Sequence, residues 1–189
     1  MKEHIWLGAY QELLRTVDLQ PDNWAAQLDL GNLLLRGGKG QEAKDRALLI
    51  LKNNANDAAS EILLSKADAI LENRSEAMEE AEQAVKMAPD RAEVFLNLGL
   101  IQARYGAFDV AEKSLLKVKS LDPNSDGPSM TLATFYAQQK RWQDAENQFR
   151  TAIQVAPKDP LPRAALAALY SSEGKHELAE SVLTEAKLQ

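Results

Sequence analysis

Apolar residues recur at intervals of three and four along most of the chain, and charged or polar residues fill the positions between them. This spacing places apolar side chains on one face of an α-helix. One stretch with this spacing contains Phe95, Leu98, Ile101, Ala111, Leu115 and Val118. The pattern therefore predicts short amphipathic helices throughout the chain.

The same pattern returns with a fixed period of 34 residues. Alanine holds one position of every unit, at Ala9, Ala43, Ala77, Ala111, Ala145 and Ala179. A second register holds Leu30, Leu64, Leu98, Leu132 and Leu166, and a small residue follows each. A third register holds Pro21, Ala55, Pro89, Pro123 and Pro157. Because proline cannot continue a helix interior, each unit is predicted to contain two helices and to end at this slot.

Further sequence signals indicate how the predicted helices pack and where they begin. The small residue after each leucine is expected to let one helix approach its partner closely. Asp90 with Glu93 three residues later has the spacing of an N-terminal capping box. Asp159 before Pro160 is typical of a cap followed by a proline in the first turn.

These residues resemble the tetratricopeptide repeat family over nearly the whole chain. The family pattern of a bulky residue, Leu-Gly, Ala and a closing Pro is matched by Phe95, Leu98, Gly99, Ala111 and Pro123. The resemblance implies an all-α fold, a right-handed α-solenoid of antiparallel helix pairs. One array over residues 1–189 is expected, with the second helix of a partial repeat at 1–23 and repeats at 24–57, 58–91, 92–125, 126–159 and 160–189.

A glycine-rich stretch, RGGKGQEA at residues 36–43, has the composition of a phosphate-binding loop. The phosphate-loop pattern needs Ser or Thr after Gly-Lys, and this chain has Gly40 there. Its segment from Gly37 to Gly40 also falls where other units have their turn between helices. We therefore interpret it as a tight turn in which glycine supplies a positive φ.

Composition narrows the range of functions. The chain has 28 acidic and 22 basic residues, for a net charge of −6, which disfavours binding to a nucleic-acid backbone. No apolar run reaches the roughly 18 residues of a membrane span. Cysteine is absent, so thiol catalysis and zinc ribbons are excluded. We expect a soluble chain, cytoplasmic or bacterial periplasmic.

Catalytic chemistry is not indicated. The only histidines, His4 and His176, lie at opposite ends of the chain and form no pair. Carboxylates are plentiful, but they spread around the polar faces of helices and lack partners that would separate their pKa values. We predict a non-enzymatic protein without a cofactor or a metal.

The resemblance implies a concave groove that binds an extended peptide or a partner helix of another protein. The usual groove positions of the family fall on Asp29, Asn32, Arg36, Ile62, Lys66, Leu96, Asn97, Leu100, Arg104, Met130, Thr131, Thr134 and Gln138. Alternatively, some of the apolar members, such as Ile62 and Leu96, pack only against neighbouring helices. The last repeat has Ala165, Ala168 and Ser172 in these positions, which predicts a featureless end.

Two specialised subfamilies do not match. Of the five residues that clamp a chaperone's C-terminal carboxylate in related repeats, only Asn32 has a counterpart. The asparagine ladder of sugar-transferase arms is also missing, since Leu63 and Ala165 occupy two of its positions. The ligand is therefore not identified by subfamily.

Two features allow other interpretations. Asp68 occupies a slot that is usually buried and aromatic, so it is expected to be exposed or paired, with Arg104 as one partner. The chain ends with Val182, Leu183, Ala186 and Leu188 and has no solvating helix after them. These apolar ends favour a fragment of a longer repeat protein or self-association. The alternatives to a groove scaffold are therefore a self-associating structural array and an accessory arm of a larger protein.

Overall fold

The computed structural model describes the backbone of residues 2–185 and the side chains of residues 7–184. These residues form helices and no strands. The helices are α1 Lys2–Leu19, α2 Trp24–Arg36, α3 Gly40–Asn53, α4 Ala58–Ile70, α5 Arg74–Met87, α6 Ala92–Arg104, α7 Phe108–Leu121, α8 Gly127–Gln138, α9 Trp142–Val155, α10 Pro160–Ser172 and α11 His176–Glu185. The predicted all-α fold is confirmed.

The chain forms two compact units, residues 1–111 and residues 112–189. In the first unit, α4 is central: it packs against α3 and α5 and also against the first helices of its neighbouring repeats, α2 and α6. In the second unit, α8 pairs with α9, α10 pairs with α11, and α9 contacts α10. Alanine and leucine slots of the 34-residue period line the core, with Ala43, Leu30, Ala145, Leu132 and Leu166 all fully buried.

The turn inside each helix pair has one backbone conformation at the same position of all five repeats. This position has φ between 59° and 80°, at Gly38, Glu72, Gly106, Lys140 and Gly174. The amide that follows it donates to a carbonyl five residues earlier, as Lys39 does to Leu34 at 2.9 Å and Arg141 to Tyr136 at 3.0 Å. This bond satisfies a helix-end carbonyl. Within the glycine-rich stretch, residues 37–39 form the turn, as predicted, whereas Gly40 already begins α3. Two repeats make the same turn without glycine, at Glu72 and Lys140.

Close helix approach is visible at the small residue after the leucine. A β-carbon added at Gly31 on α2 would lie 2.4 Å from Cδ2 of Leu63 on α4, which is fully buried. Ser65 holds the same slot on α4, and its hydroxyl donates to the carbonyl of Ala77 on α5 at 2.8 Å. Small residues at this slot thus set the spacing between helices in the first unit.

The two predicted caps have different outcomes. Asp159 is the N-cap of α10 and accepts from the amide of Leu161 at 2.9 Å, so that prediction is confirmed. The capping box at Asp90 is wrong, because α6 begins one residue later and its N-cap is Arg91. Glu93 is instead engaged by the guanidinium of Arg91.

Asp68 is fully buried, and its partner is not the one predicted. Its carboxylate accepts from Nζ of Lys44 on α3 at 2.7 and 2.8 Å and from Nδ2 of Asn73 at 2.6 Å. Arg104 instead pairs with Glu72, at 2.6 Å. Lys44 thus provides the charge compensation that a buried carboxylate requires.

Lys44 and Asp68 define a seam, the contact between a second helix and the first helix of the following repeat. In the second unit, the seam position that corresponds to Lys44 is Glu112, and the one that corresponds to Asp68 is Tyr136. The Tyr136 hydroxyl donates to Oε1 of Glu112 at 2.8 Å, and Arg141 Nη1 lies 2.6 Å from Oε2 of Glu112. Burial and this hydrogen bond raise the pKa of Tyr136 to about 12. The seam is therefore polar in both units. Its acid lies on the first helix in the first unit, as Asp68 on α4, and on the second helix in the second unit, as Glu112 on α7.

Candidate functional site

The first helices of three successive repeats line an open cavity of about 650 Å³ in the first unit. Side chains of α2, α4 and α6 form its wall. They are Asn32, Leu35, Arg36, Lys66, Ala69, Ile70, Asn97, Leu100, Ile101 and Arg104. The first helices can share a wall because α4 packs against both α2 and α6.

Six residues that the sequence analysis placed in a groove line this cavity. They are Asn32, Arg36, Lys66, Asn97, Leu100 and Arg104. The 34-residue period explains their convergence, because Asn32, Lys66 and Leu100 occupy one slot of successive repeats. Since repeats stack in register, equal slots fall on the same side of the stack.

Four lining residues were missed by the sequence analysis: Leu35, Ala69, Ile70 and Ile101. The signal for one of them was present. Ile70 lies midway between Arg36 and Arg104, 34 residues from each, in the same slot. Leu35 and Ala69 are likewise one period apart. Together these side chains make the floor of the cavity apolar.

Three other predicted residues of the first unit lie outside this cavity. Asp29 on α2 is exposed and Leu96 on α6 is half-buried, and neither contributes to the wall. Ile62 is 9% exposed and packs in a core cluster with Ala58 and Val94. Its side chain therefore packs between helices, as the alternative expectation for it describes.

The cations of the cavity differ in their surroundings. Arg104 Nη2 lies 2.6 Å from Oε1 of Glu72, and both side chains are largely exposed. Arg36 and Lys66 make no ion pair within the described part of the chain. Lys66 is accessible to solvent, yet surrounding protein atoms remove part of its hydration, and this desolvation lowers its pKa.

Asn97 has a fixed position at the cavity wall. It is 2% exposed, and its Nδ2 donates to the Ser65 hydroxyl at 3.2 Å. Ser65 in turn is held by α5, as described above. The Asn32 amide is exposed and donates to the carbonyl of Leu28 in its own helix at 3.1 Å. Both amides are therefore oriented by protein contacts and add neutral polar groups to the site.

The second unit contains a smaller cavity of about 370 Å³. Its walls are Thr134, Ala137, Gln138, Trp142, Phe149, Ala165, Ala168, Leu169 and Ser172. Of the predicted residues, Thr134 and Gln138 line it, whereas Met130 and Thr131 do not. The predicted small residues of the last repeat are present, but Trp142 and Phe149 add aromatic surface that the sequence analysis did not anticipate.

One titratable cluster lies away from both cavities. Burial, together with the negative charge of Asp68, raises the pKa of Glu80 to about 8, and the ammonium of Lys44 opposes this effect. Within the described residues, Oε2 of Glu80 is buried without a hydrogen-bond partner. The cluster lies where α3, α4 and α5 meet, beside the seam of Lys44 and Asp68.

Neither metal binding nor membrane insertion has support in the described residues. Over residues whose side chains are described, no group of three or more His, Cys, Asp or Glu could hold a metal ion. The side chain of His4 lies outside that range. Among the helices described, none combines the length and apolar character that crossing a bilayer demands.

Paired helices in a 34-residue period, with cavities along their first helices, define a helical repeat protein of the protein-interaction type. The comparison with protein families agrees: the model of the tetratricopeptide repeat family matches residues 7–59 and 62–126. The chain belongs to this family, whose members are generally non-enzymatic and bind protein partners. No curated protein sequence matches the chain significantly.

Solved structures support the same fold. A thermophilic TPR protein of Thermus thermophilus, TTC0263, has a TM-score of 0.79 at 23% identity, with 87% of this chain and 90% of that chain covered. A TPR protein of Parabacteroides merdae has a TM-score of 0.67 at 19% identity, covering 99% and 74%. MamA of Desulfovibrio magneticus has a TM-score of 0.64 at 16% identity, covering 88% and 94%. At these identities the likeness establishes the fold alone.

Proposed function

We propose that the chain is a non-enzymatic scaffold that binds a peptide or a helical segment of another protein along α2, α4 and α6. The observation that carries this proposal is the cavity of about 650 Å³ in the first unit. It combines an apolar floor with a few polar side chains, the composition by which protein sites select ligands. Holding such a segment would let the chain help to assemble a complex.

The groove includes further predicted positions. We propose that Asp29 and Leu96 border the bound segment, and that Met130, Thr131, Thr134 and Gln138 form a corresponding surface in the second unit. Thr134 and Gln138 have the stronger support, because they line the smaller cavity. The repeat boundaries at 24–57, 58–91, 92–125, 126–159 and 160–189 within one array over 1–189 are part of this proposal. They are supported by the one helix pair within each of these spans.

Site-specific photocrosslinking in the native cell tests the groove. A photoreactive amino acid replaces Leu100, which is 47% exposed in the cavity wall. The matched control replaces Leu116 on α7, which is 45% exposed and lines neither cavity. We expect a defined heterologous protein to crosslink at position 100 and not at 116. Crosslinks of equal yield and identity at both positions would contradict the proposal.

Self-association is the second candidate function, and one observation favours it. Leu178 and Leu183 on α11 are each 47% exposed. Apolar side chains of this size are common at interfaces between copies. Sedimentation of the wild type and of a Leu178→Ser, Leu183→Ser variant distinguishes this function, because only self-association predicts a change in mass.

A further inference from the structure

The cavity of the first unit collects positive charge from three successive repeats. Arg36 is the last residue of α2, Lys66 lies one turn before the end of α4, and Arg104 is the last residue of α6. The described residues that line the cavity include no Asp or Glu. Since the chain as a whole has a net charge of −6, this cavity has the opposite sign to the rest of the molecule. A local reversal of this kind attracts anionic ligands.

The cations are available for a ligand. The ion pair of Arg104 with Glu72 is exposed on both sides, at 47% and 70%, and an exposed pair of this type contributes little stability and exchanges readily. Lys66 lacks both an ionic partner within the described chain and part of its hydration. An anion placed beside Lys66 would replace the missing hydration with a direct charge-assisted hydrogen bond.

Apolar surface lies between the charges. Leu100 occupies the slot of Lys66 in the next repeat, and Ile70 occupies the slot of Arg36 and Arg104. Leu100 remains 47% exposed although it lines the cavity. A ligand that covers it gains burial of apolar area. The cavity therefore suits a segment in which acidic and apolar side chains alternate or adjoin.

We propose that the occupant of this cavity is an acidic, apolar segment of another protein, in which an Asp or Glu carboxylate contacts Lys66 and an adjoining aliphatic or aromatic side chain covers Leu100. This proposal rests on the proposed function of the groove and adds the chemical class of the ligand. Charge complementarity selects this class, because a basic segment would be repelled by Arg36 and Lys66, which have no ionic partner within the described residues, and by Arg104, whose only ion pair is the exposed one with Glu72.

Selection from a library of random short peptides displayed on their own messenger RNA tests the proposal with the full chain as bait. Enriched peptides are then measured by fluorescence anisotropy against the wild type, Lys66→Gln, Leu100→Ser and the control Lys52→Gln. Lys52 is exposed near the end of α3 and does not line the cavity, so the control removes an equal charge elsewhere. All substituted side chains are on the surface, and circular dichroism checks that the variants remain helical.

We expect enriched peptides to pair Asp or Glu with Leu, Ile, Phe or Met. Their affinity should fall about tenfold in Lys66→Gln, consistent with the loss of one charge-assisted contact, and should be unchanged in Lys52→Gln. Added salt should weaken wild-type binding more than binding to Lys66→Gln. Leu100→Ser should weaken the same peptides without altering their salt dependence.

The contrary outcomes separate the two proposals. Enrichment of neutral or basic peptides that lose affinity in Leu100→Ser would overturn the acidic class and leave the groove function standing. Enrichment of no peptide, or of peptides indifferent to both cavity variants, would overturn the groove function itself. If the wild type dimerises and enriched peptides dissociate the dimer, the occupant is a second copy, and the proposal of a different protein is overturned.

Discussion

Replacing Lys140 by glycine should stabilise the protein, although it removes a whole side chain. Lys140 has φ of 59°, in the left-handed region, at the turn position where three other repeats have glycine. A side chain costs about 1–2 kcal/mol in this region because its β-carbon crowds the following carbonyl. Glycine removes that cost but gives the unfolded chain more freedom, worth about 0.4–1 kcal/mol. The net expectation is a gain of roughly 0.5–1 kcal/mol.

The side chain itself has little to lose. Lys140 is exposed and forms no ion pair within the described part of the chain. For a protein of this size, the gain corresponds to an increase in Tm of about 1–4 °C. Urea and thermal unfolding, followed by far-ultraviolet circular dichroism, measure it directly.

Three controls isolate the backbone effect. Lys140→Ala keeps the β-carbon and should leave stability nearly unchanged. Gln139→Gly, at φ of −90°, should lose at least about 0.5–1 kcal/mol, because glycine brings its entropy cost there and also removes the hydrogen bond that Gln139 Nε2 donates to the carbonyl of Phe135 at 3.1 Å. Gly106→Ala, at φ of 80° with open space around an added β-carbon, should lose about 1 kcal/mol from backbone strain alone. Equal stability of Lys140→Gly and Lys140→Ala would refute the reasoning, since only the β-carbon distinguishes them.

Three more predictions concern the first unit. Gly31→Ala should destabilise by about 1–2 kcal/mol in urea unfolding, because its β-carbon would overlap buried Leu63, and no loss would mean that Leu63 repacks freely. Lys44→Glu should be severely destabilised by a second acid beside Asp68. Adding Asp68→Tyr to it should recover part of the loss, since the pair then matches Glu112 and Tyr136 of the second unit, although Asn73 stands where Arg141 pairs with Glu112 there, and additive losses in a double-mutant cycle would contradict this. Because the folded pKa of Glu80 is raised to about 8, the native state holds its proton between about pH 4.5 and 8 while the unfolded state releases it. Stability should therefore fall as pH rises through that window, and Glu80→Gln should flatten the fall by about 1–2 kcal/mol, with parallel urea midpoints for both proteins counting against the assignment.

The period made most of the fold predictable from the sequence. Equal slots recur every 34 residues, so one well-patterned unit such as 92–125 predicts the helix pairs and turns of weaker units. Six residues of the cavity followed from the same register. Ile70 is not among the predicted residues, although Arg36 and Arg104, which hold the same position of the preceding and following repeats, are.

Specific side-chain partners were less predictable than the helices that carry them. Asp68 is expected to need a partner, and Arg104 is the partner that the sequence predicts. In the structure the partner is Lys44, which lies on the neighbouring helix α3. Only the packing of α3 against α4 brings Lys44 to that carboxylate. The predicted cap at Asp90 is wrong because α6 begins at Ala92 with Arg91 as its N-cap, and Glu93 pairs with Arg91 and so does not reach back to Asp90.

The seams also determine which copies of a repeat can follow one another. By register, Met78 takes the place of Lys44 at the seam after α5, where Gln102 stands opposite. A duplicated 58–91 unit would set Met78 against a second Asp68 and leave a buried carboxylate without its ammonium group. A duplicated 44–77 segment, cut within the second helices, would carry Lys44 and Asp68 together. The segment that can be copied without losing this ion pair therefore runs from the middle of one second helix to the start of the next second helix. We expect gene duplications that lengthen this array to have their boundaries inside a second helix.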